Sequence, residues 1–346
     1  MKAIQFTEFE GPLSVVDLPM PHLNDDAVLI KVEATGICRS DWHGWMGHDS
    51  DISLPHVPGH ELAGVISAVG SAVQNFSAGD RVTVPFVCGC GTCEFCLRGD
   101  AQVCPTQTQP GFTGLGSFAE FVAIESADFN LVRIPEGVSF SVAAALGCRF
   151  ATAYRGLVKR AHIAAGETIV IFGCGGVGLS TVMIAKALGA TVYAVDMNEG
   201  ALEIASSLGA IAINSKNEDP VRRMQDIGGA HISVDAFGSE ATATQSVLSL
   251  RRRGRHLQLG LLLTPDGQTP MPMARVIGWE LDLLGSHGMA ARDYPEMLAM
   301  VANGVLDPSR LITREVSLAE GAVALSEMGS MAPNAHGGIS VIRPGL

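Results

Sequence analysis

The chain has 346 residues, of which 47% are hydrophobic and 17% charged, with a formal net charge of −12. That balance excludes a partner held through clustered Lys and Arg, whether nucleic acid or an anionic membrane surface. At about 150 residues per domain, the length predicts two domains, each able to bury its own core.

Met1-Lys2-Ala3-Ile4-Gln5-Phe6 lacks the apolar run of a signal peptide. The expected setting is therefore the cytoplasm, where thiols stay reduced and close cysteine spacing points to metal rather than to disulfides. From Met1 to about Arg133 the pattern predicts a β-rich, irregular barrel of short strands at Val28 to Ala34, Gly64 to Val69, Asp80 to Val84, Ser117 to Glu125 and Asn130 to Ile134. Two stretches in this half carry chemistry: Cys38-Arg39-Ser40-Asp41-Trp42-His43 and Pro58-Gly59-His60-Glu61. Thiolate sulfur and imidazole nitrogen suit zinc, and a catalytic zinc takes three protein ligands with one position open. Cys38 and His60 supply two of the three. Read singly, each has a plain alternative as a buried thiol or a loop histidine.

Cys90-x-x-Cys93-x-x-Cys96 followed by Cys104 offers four thiols on one loop, enough for a closed tetrahedral shell that stabilises a lobe at about 88–105. Cys88 is the spare. A nucleic-acid-binding zinc ribbon is the alternative that the acidic charge disfavours. Ser139 to Leu157 then reads as a helix interrupted near Gly147-Cys148.

From Glu167 the rhythm alternates. Strands are predicted at Thr168 to Phe172, Thr191 to Asp196, near Ile211, Ile232 to Phe237 and His256 to Leu261. Helices are predicted at Val177 to Leu188, Glu199 to Leu208, around Val221 to Asp226, and Ala241 to Leu250. Such alternation implies a doubly wound parallel sheet. The uncharged run Thr168 to Ala185 is long enough to suggest a membrane span, but its central glycines fit a strand and helix better. Arg251-Arg252-Arg253 with Arg255 reads as a solvated helix end. A final strand is expected at Ile339 to Ile342.

Gly173-Cys174-Gly175-Gly176-Val177-Gly178 fits G-x-G-x-x-G between a strand and a helix, the context that gives the pattern meaning. The glycines permit a tight turn, close approach of a pyrophosphate, and close helix packing. Asp196 ends the next strand, where a carboxylate binds a ribose 2′-hydroxyl and repels a 2′-phosphate, favouring NAD over NADP. The alternative is a structural glycine turn without cofactor. Cys174 is filler in the turn.

Together these residues resemble the zinc-dependent medium-chain alcohol dehydrogenase family along essentially the full length. Gly59-His60-Glu61-x-x-Gly64-x5-Gly70-x-x-Val73 matches the family's zinc signature. The four-cysteine loop, Gly79-Asp80-Arg81-Val82 and Cys148-x-x-x-Thr152-x-Tyr154 fall in the family's order. The resemblance implies an α/β protein: a GroES-like catalytic domain at 1–152, a Rossmann-type NAD-binding domain at 153–285, and a segment 286–346 returning to the catalytic domain. It implies a catalytic zinc on Cys38, His60 and Cys148 and a structural zinc on Cys90, Cys93, Cys96 and Cys104. Glu61 would sit behind the catalytic metal, able in some members to approach it. Asp41 would orient His60, and Ser40 with His43 would relay the proton. Arg39 would meet the pyrophosphate, Thr152 would pack beside the nicotinamide, and Leu259-Gly260-Leu261 would touch its carboxamide. Trp45 and Phe86 would wall an apolar substrate pocket.

The implied activity is reversible hydride transfer between a primary or secondary alcohol and NAD, by a homotetramer without nucleic-acid or membrane partners. A polyol or amino-alcohol dehydrogenase of the same fold, or a nucleotide or redox sensor with only structural zinc, are the alternatives. Two departures bear on cofactor affinity. Ile339 follows Gly338 where members commonly carry arginine, and Met197-Asn198-Glu199 follows Asp196 without the usual basic residue.

Overall fold

The computed structural model describes residues 1–263, 268–329 and 338–346. They form two compact units: one takes Met1–Ala151, 288–329 and Ile339–Leu346, and the other is built on Thr152–His287.

In the second unit, strands Thr168–Phe172, Thr191–Asp196, Ile211–Asn214, Ala230–Asp235, Leu250–Gln258 and Asp282–Gly285 form one sheet, parallel throughout. Taken in chain order, they lie in the sequence third, second, first, fourth, fifth, sixth. Strand order reverses beside the first strand, whose Phe172 pairs with Val195 on one side and Asp235 on the other. Open α/β sheets bind ligands in the crevice at such a switch point. Apolar runs such as Thr168-Ile-Val-Ile-Phe172 suit strands covered on both faces, and Val170, Phe172, Val195, Ile213 and Val247 share one buried cluster. The helix Gly176–Ala187 follows the first strand. Polar residues start the later helices: Asn198 accepts from the Ala201 amide, Asp219 precedes Pro220, and Ser239 closes a capping box with Thr242.

The first unit is a mixed sheet ordered Ile312–Val316, Ile339–Ile342, Val28–Ile37, Glu61–Val69, Arg81–Thr83, Val132–Arg133, with Phe121–Ile124 also paired to Val28–Ile37. Val28, Ile30, Val32, Leu62, Ile66, Val82, Val122 and Ile124 pack into its core. One register governs the chemistry: Gly36 lies opposite Glu61 on one side and Val341 on the other. Cys38 leaves the end of one strand as His60 enters its antiparallel neighbour, so the sheet brings them together.

Some expectations need correcting. The arginine run Arg251-Arg252-Arg253 lies on the strand Leu250–Gln258, not on a helix end; its side chains are solvated, and the strand's buried positions are Leu250, Gly254, His256 and Leu257. The preceding helix stops at Leu248 rather than Leu250, because Leu250 pairs with Ala230. Met273–Trp279 is helical and Asp282–Gly285 is the sixth strand, both missed because short elements of seven and four residues carry too little periodicity. The interruption expected at Gly147-Cys148 is a single wide turn, Leu146–Phe150, within the helical run. Thr168 to Ala185 divides into strand and helix, and no helix among the described residues is long and apolar enough to cross a membrane.

Candidate active site and metal centres

Among the described residues, two groups of side chains could hold a metal ion. The first is Cys38, His60, Glu61 and Cys148, whose donor atoms all lie within 4.8 Å of one another. Cys148 comes from the wide turn, carried by a helix, Phe140–Ala145, that packs on the strands Val28–Ile37 and Glu61–Val69. Single wide turns of this kind recur at functional sites.

Asp41 ties the cluster together. It sits in the first turn of the helix Arg39–Trp45, fully buried, and its Oδ1 accepts from His60 Nδ1 at 2.9 Å and from the Gly59 amide at 3.0 Å. Oδ2 accepts from the Cys38 amide at 2.9 Å. With Nδ1 donating to Asp41, the lone pair of His60 lies on Nε2, which is buried and has no hydrogen-bond partner. A buried, partnerless imidazole nitrogen beside two thiols is the donor set that zinc takes.

Glu61 is also fully buried. Its Oε1 accepts from the Cys148 amide at 3.2 Å, the Arg149 amide at 3.1 Å and Arg149 Nε at 3.0 Å, while Oε2 pairs closely with Arg149 Nη2. Burial opposes the Arg149 charge, but the Glu61 carboxylate and then Cys38 outweigh it and raise the guanidinium pKa.

The remaining residues surround this cluster. Ser40 Oγ lies 3.8 Å from Cys38 Sγ. His43 Nδ1 lies 3.0 Å from His48 Nδ1, and burial, then the His48 and Arg39 charges, push the His43 pKa below its usual value against a smaller opposing pull from Cys38. Phe86 meets the His60 ring edge-on at 5.9 Å, and Phe112 approaches it at 5.0 Å. Trp45 stands further out, packed with Phe6, Ile52 and Phe112 and donating its indole N–H to Gly11. Arg39 donates to the Met328 carbonyl at 2.5 Å and lies 4.9 Å over the Trp42 ring.

The second group is Cys90, Cys93, Cys96 and Cys104, again within 4.8 Å of one another. Cys90 Sγ to Cys96 Sγ is 4.0 Å and Cys93 Sγ to Cys104 Sγ is 3.8 Å. A tetrahedron with Zn–S near 2.3 Å has edges of about 3.8 Å. Backbone amides of Cys90, Cys93 and Cys96 point at sulfurs of the set from 3.4–3.5 Å, partners that stabilise thiolates. Cys88 stands apart, donating toward the Pro85 carbonyl, with burial pushing its thiol up to about 12.

In the second unit, the glycine turn sits at the switch point. Gly173 has φ 94°, open to glycine, and a Cβ at Gly178 would lie 1.8 Å from the Gly173 carbonyl oxygen. A Cβ at Gly175 would meet nothing within 4 Å, so packing does not demand a glycine there, whereas the approach of a ligand would. Gly176 opens the helix, Val177 and Gly178 follow, and Gly175 as N-cap leaves the first amides without a side-chain partner. Asp196 accepts from the amides of Cys174, Met197 and Asn198. It thereby joins the turn to the end of the second strand. Cys174 itself is buried, its thiol toward the Val195 carbonyl. Leu259 and Gly260 donate their amides to the Asp235 carbonyl, leaving Leu261 exposed, and Thr152 is buried.

A family model described as Alcohol dehydrogenase GroES-like domain matches residues 24–136, and one described as Zinc-binding dehydrogenase matches residues 176–303. An alcohol dehydrogenase of Geobacillus stearothermophilus is 35% identical over 309 residues, covering 88% of this chain and 90% of its own. The chain belongs to the zinc-dependent medium-chain alcohol dehydrogenase family. An NAD-dependent alcohol dehydrogenase of Sulfolobus acidocaldarius is 31% identical over 340 residues, covering 95% of this chain and 96% of its own. The solved structure of an alcohol dehydrogenase from Thermus sp. ATN1 superposes with a TM-score of 0.91 at 30% identity, covering 99% of each chain.

As a member of this zinc-dependent family the chain is an oxidoreductase, with a Rossmann-type unit and a GroES-like unit. Its two departures have structural counterparts. Asn198, among the positions where the resemblance implies a basic residue, caps the helix Glu199–Ser207. Ile339 is fully buried within the final strand. Sequence reasoning missed Arg149, Phe112, His48 and Tyr294, whose hydroxyl donates to the Gly147 carbonyl at 2.9 Å. Arg149 left a readable signal: a charge inside the apolar run Ala143 to Ala151 is buried, and a buried charge needs a partner.

Proposed function

We propose that the protein is an NAD-dependent zinc alcohol dehydrogenase that interconverts a primary or secondary alcohol with its aldehyde or ketone. The observation that carries this reading is the set Cys38, His60 and Cys148, with a buried imidazole nitrogen turned away from Asp41 and lacking any partner. The reading takes two zinc ions per chain, one on these three residues and one on the four-cysteine lobe. When bound by Cys38, His60 and Cys148, zinc would supply Lewis acidity of the kind that lowers the pKa of water from 15.7 to about 7. NAD supplies the hydride acceptor.

The chain's own residues do the rest. Asp41 fixes the tautomer and orientation of His60. Phe86 and Phe112 cover the imidazole and exclude water. Ser40 Oγ would receive the alcohol proton while releasing its own, and His43 would be the acceptor further out, with His48 Nδ1 3.0 Å from His43 Nδ1 as its onward partner. Because its pKa is lowered, His43 is neutral at pH 7 and able to accept; below that pKa it is protonated and acceptance is lost. His43→Gln is expected to cut alcohol oxidation at pH 7 by about tenfold or more. Its rate should climb with pH where that of the unaltered protein levels off, and a profile unchanged in shape removes His43 from the path.

NAD rather than NADP is supported by the Asp196 carboxylate at the end of its strand with no cation at the next three positions. Steady-state rates over a panel of straight-chain and secondary alcohols, with each cofactor at equal concentration, test the whole reading. Turnover with NAD exceeding that with NADP is the expected result. No alcohol oxidised with either cofactor by the zinc-loaded protein overturns it.

A further inference from the structure

The carboxylate of Glu61 lies within the same 4.8 Å as the donor atoms of Cys38, His60 and Cys148. Four protein donors would close a tetrahedral zinc and leave no place for substrate. Something must hold this carboxylate back. We propose that Arg149 is a positioning residue that withholds Glu61 from the metal and so keeps the fourth coordination place open. The proposal rests on the reading of the site as a zinc alcohol dehydrogenase.

Two observations support it. Among the described residues, every hydrogen bond to the Glu61 carboxylate comes from Cys148 or Arg149: two backbone amides, the guanidinium Nε, and Nη2. The two-pronged guanidinium contact occupies both oxygens at once, the geometry in which arginine holds a carboxylate best. Glycines also shape the space around the pair. A Cβ at Gly36, opposite Glu61 in the sheet, would lie 2.3 Å from Oε2 and 3.1 Å from Arg149 Nη2. A Cβ at Gly147 would lie 2.9 Å from the Glu61 Cα.

The direction of the effect follows from burial. Glu61 and Arg149 are both buried, and removing one partner of such a pair strands the other charge away from water. With Arg149 gone, the metal is the cation left for Glu61 to approach.

The test uses full-length protein reconstituted with cobalt in both metal sites, with imidazole as the added ligand and visible absorption as the readout. The four-thiolate site is closed and serves as an internal reference. Arg149→Gln is expected to weaken imidazole binding by about tenfold or more, with a changed cobalt spectrum before any ligand is added. Adding Glu61→Gln to that variant removes the competing carboxylate and should restore both. Should Arg149→Gln fail to fold, Arg149→Lys carries the same comparison, since it keeps the charge but loses the two-pronged contact. A folded, cobalt-loaded variant that binds imidazole as the unaltered protein does overturns the proposal, as does a double variant no better than the single one. A first site that takes up no cobalt in the unaltered protein instead refutes the proposed function.

Discussion

Cys148→Ala is expected to abolish alcohol oxidation and to lower the zinc content from two ions per chain to one, with the fold kept. Three donors with an open fourth place are the minimum that a catalytic zinc accepts, and the thiolate of Cys148 is the one ligand supplied by the helical run. Losing it leaves Cys38 and His60. The wide turn survives because its ties are to backbone: the Cys148 amide donates to Glu61, and Tyr294 donates to the Gly147 carbonyl. Elemental analysis, turnover and a melting curve on one preparation check this. Full turnover by a variant holding one zinc would sink the assignment.

The second large effect belongs to the four-cysteine lobe. Its ordered parts are two short helices, Glu94–Arg98 and Ala101–Val103, and its apolar cluster is Cys96, Ala101, Cys104 and Ala290 with Cys90, Cys93 and Phe129 alongside. So small a core cannot hold a loop of this length against chain entropy, and a metal held by four thiolates can. Cys93→Ser is expected to lose the structural zinc and to destabilise its unit by at least about 4 kcal/mol. At about 2–4 °C per kcal/mol for a unit of this size, the melting temperature falls by roughly 8–16 °C. Measured well below that transition, turnover per folded molecule stays close to that of the unaltered protein, because the lobe holds none of the first site's donors. A variant that melts where the unaltered protein does would remove these sulfurs from any metal.

The sequence was informative wherever the chemistry is local. The glycine turn could be read because a strand, three spaced glycines and a helix follow one another without interruption, and Asp196 ends the very next strand. The four-cysteine loop could be read because thiols with two residues between them cannot move far from one another. Asp41 was legible only through family resemblance, although its role in the structure is compact: one carboxylate accepts from Cys38, Gly59 and His60. Phe112 was not legible at all. The resemblance named Trp45 and Phe86 as pocket walls and left out Phe112, which approaches the His60 ring from a loop far along the chain and has Trp45 packed against its cluster.

By itself, then, the sequence determined the parallel unit, the nucleotide turn and the thiol lobe, since spacing along the chain limits how far such groups can separate. Tertiary structure alone decided which distant side chains meet. The pairing of Gly36 with Glu61 sets Cys38 against His60, and one wide helical turn delivers both Cys148 and Arg149 to the same carboxylate. Strand register and helix packing are collective outcomes of burying a core, and no local spacing encodes them.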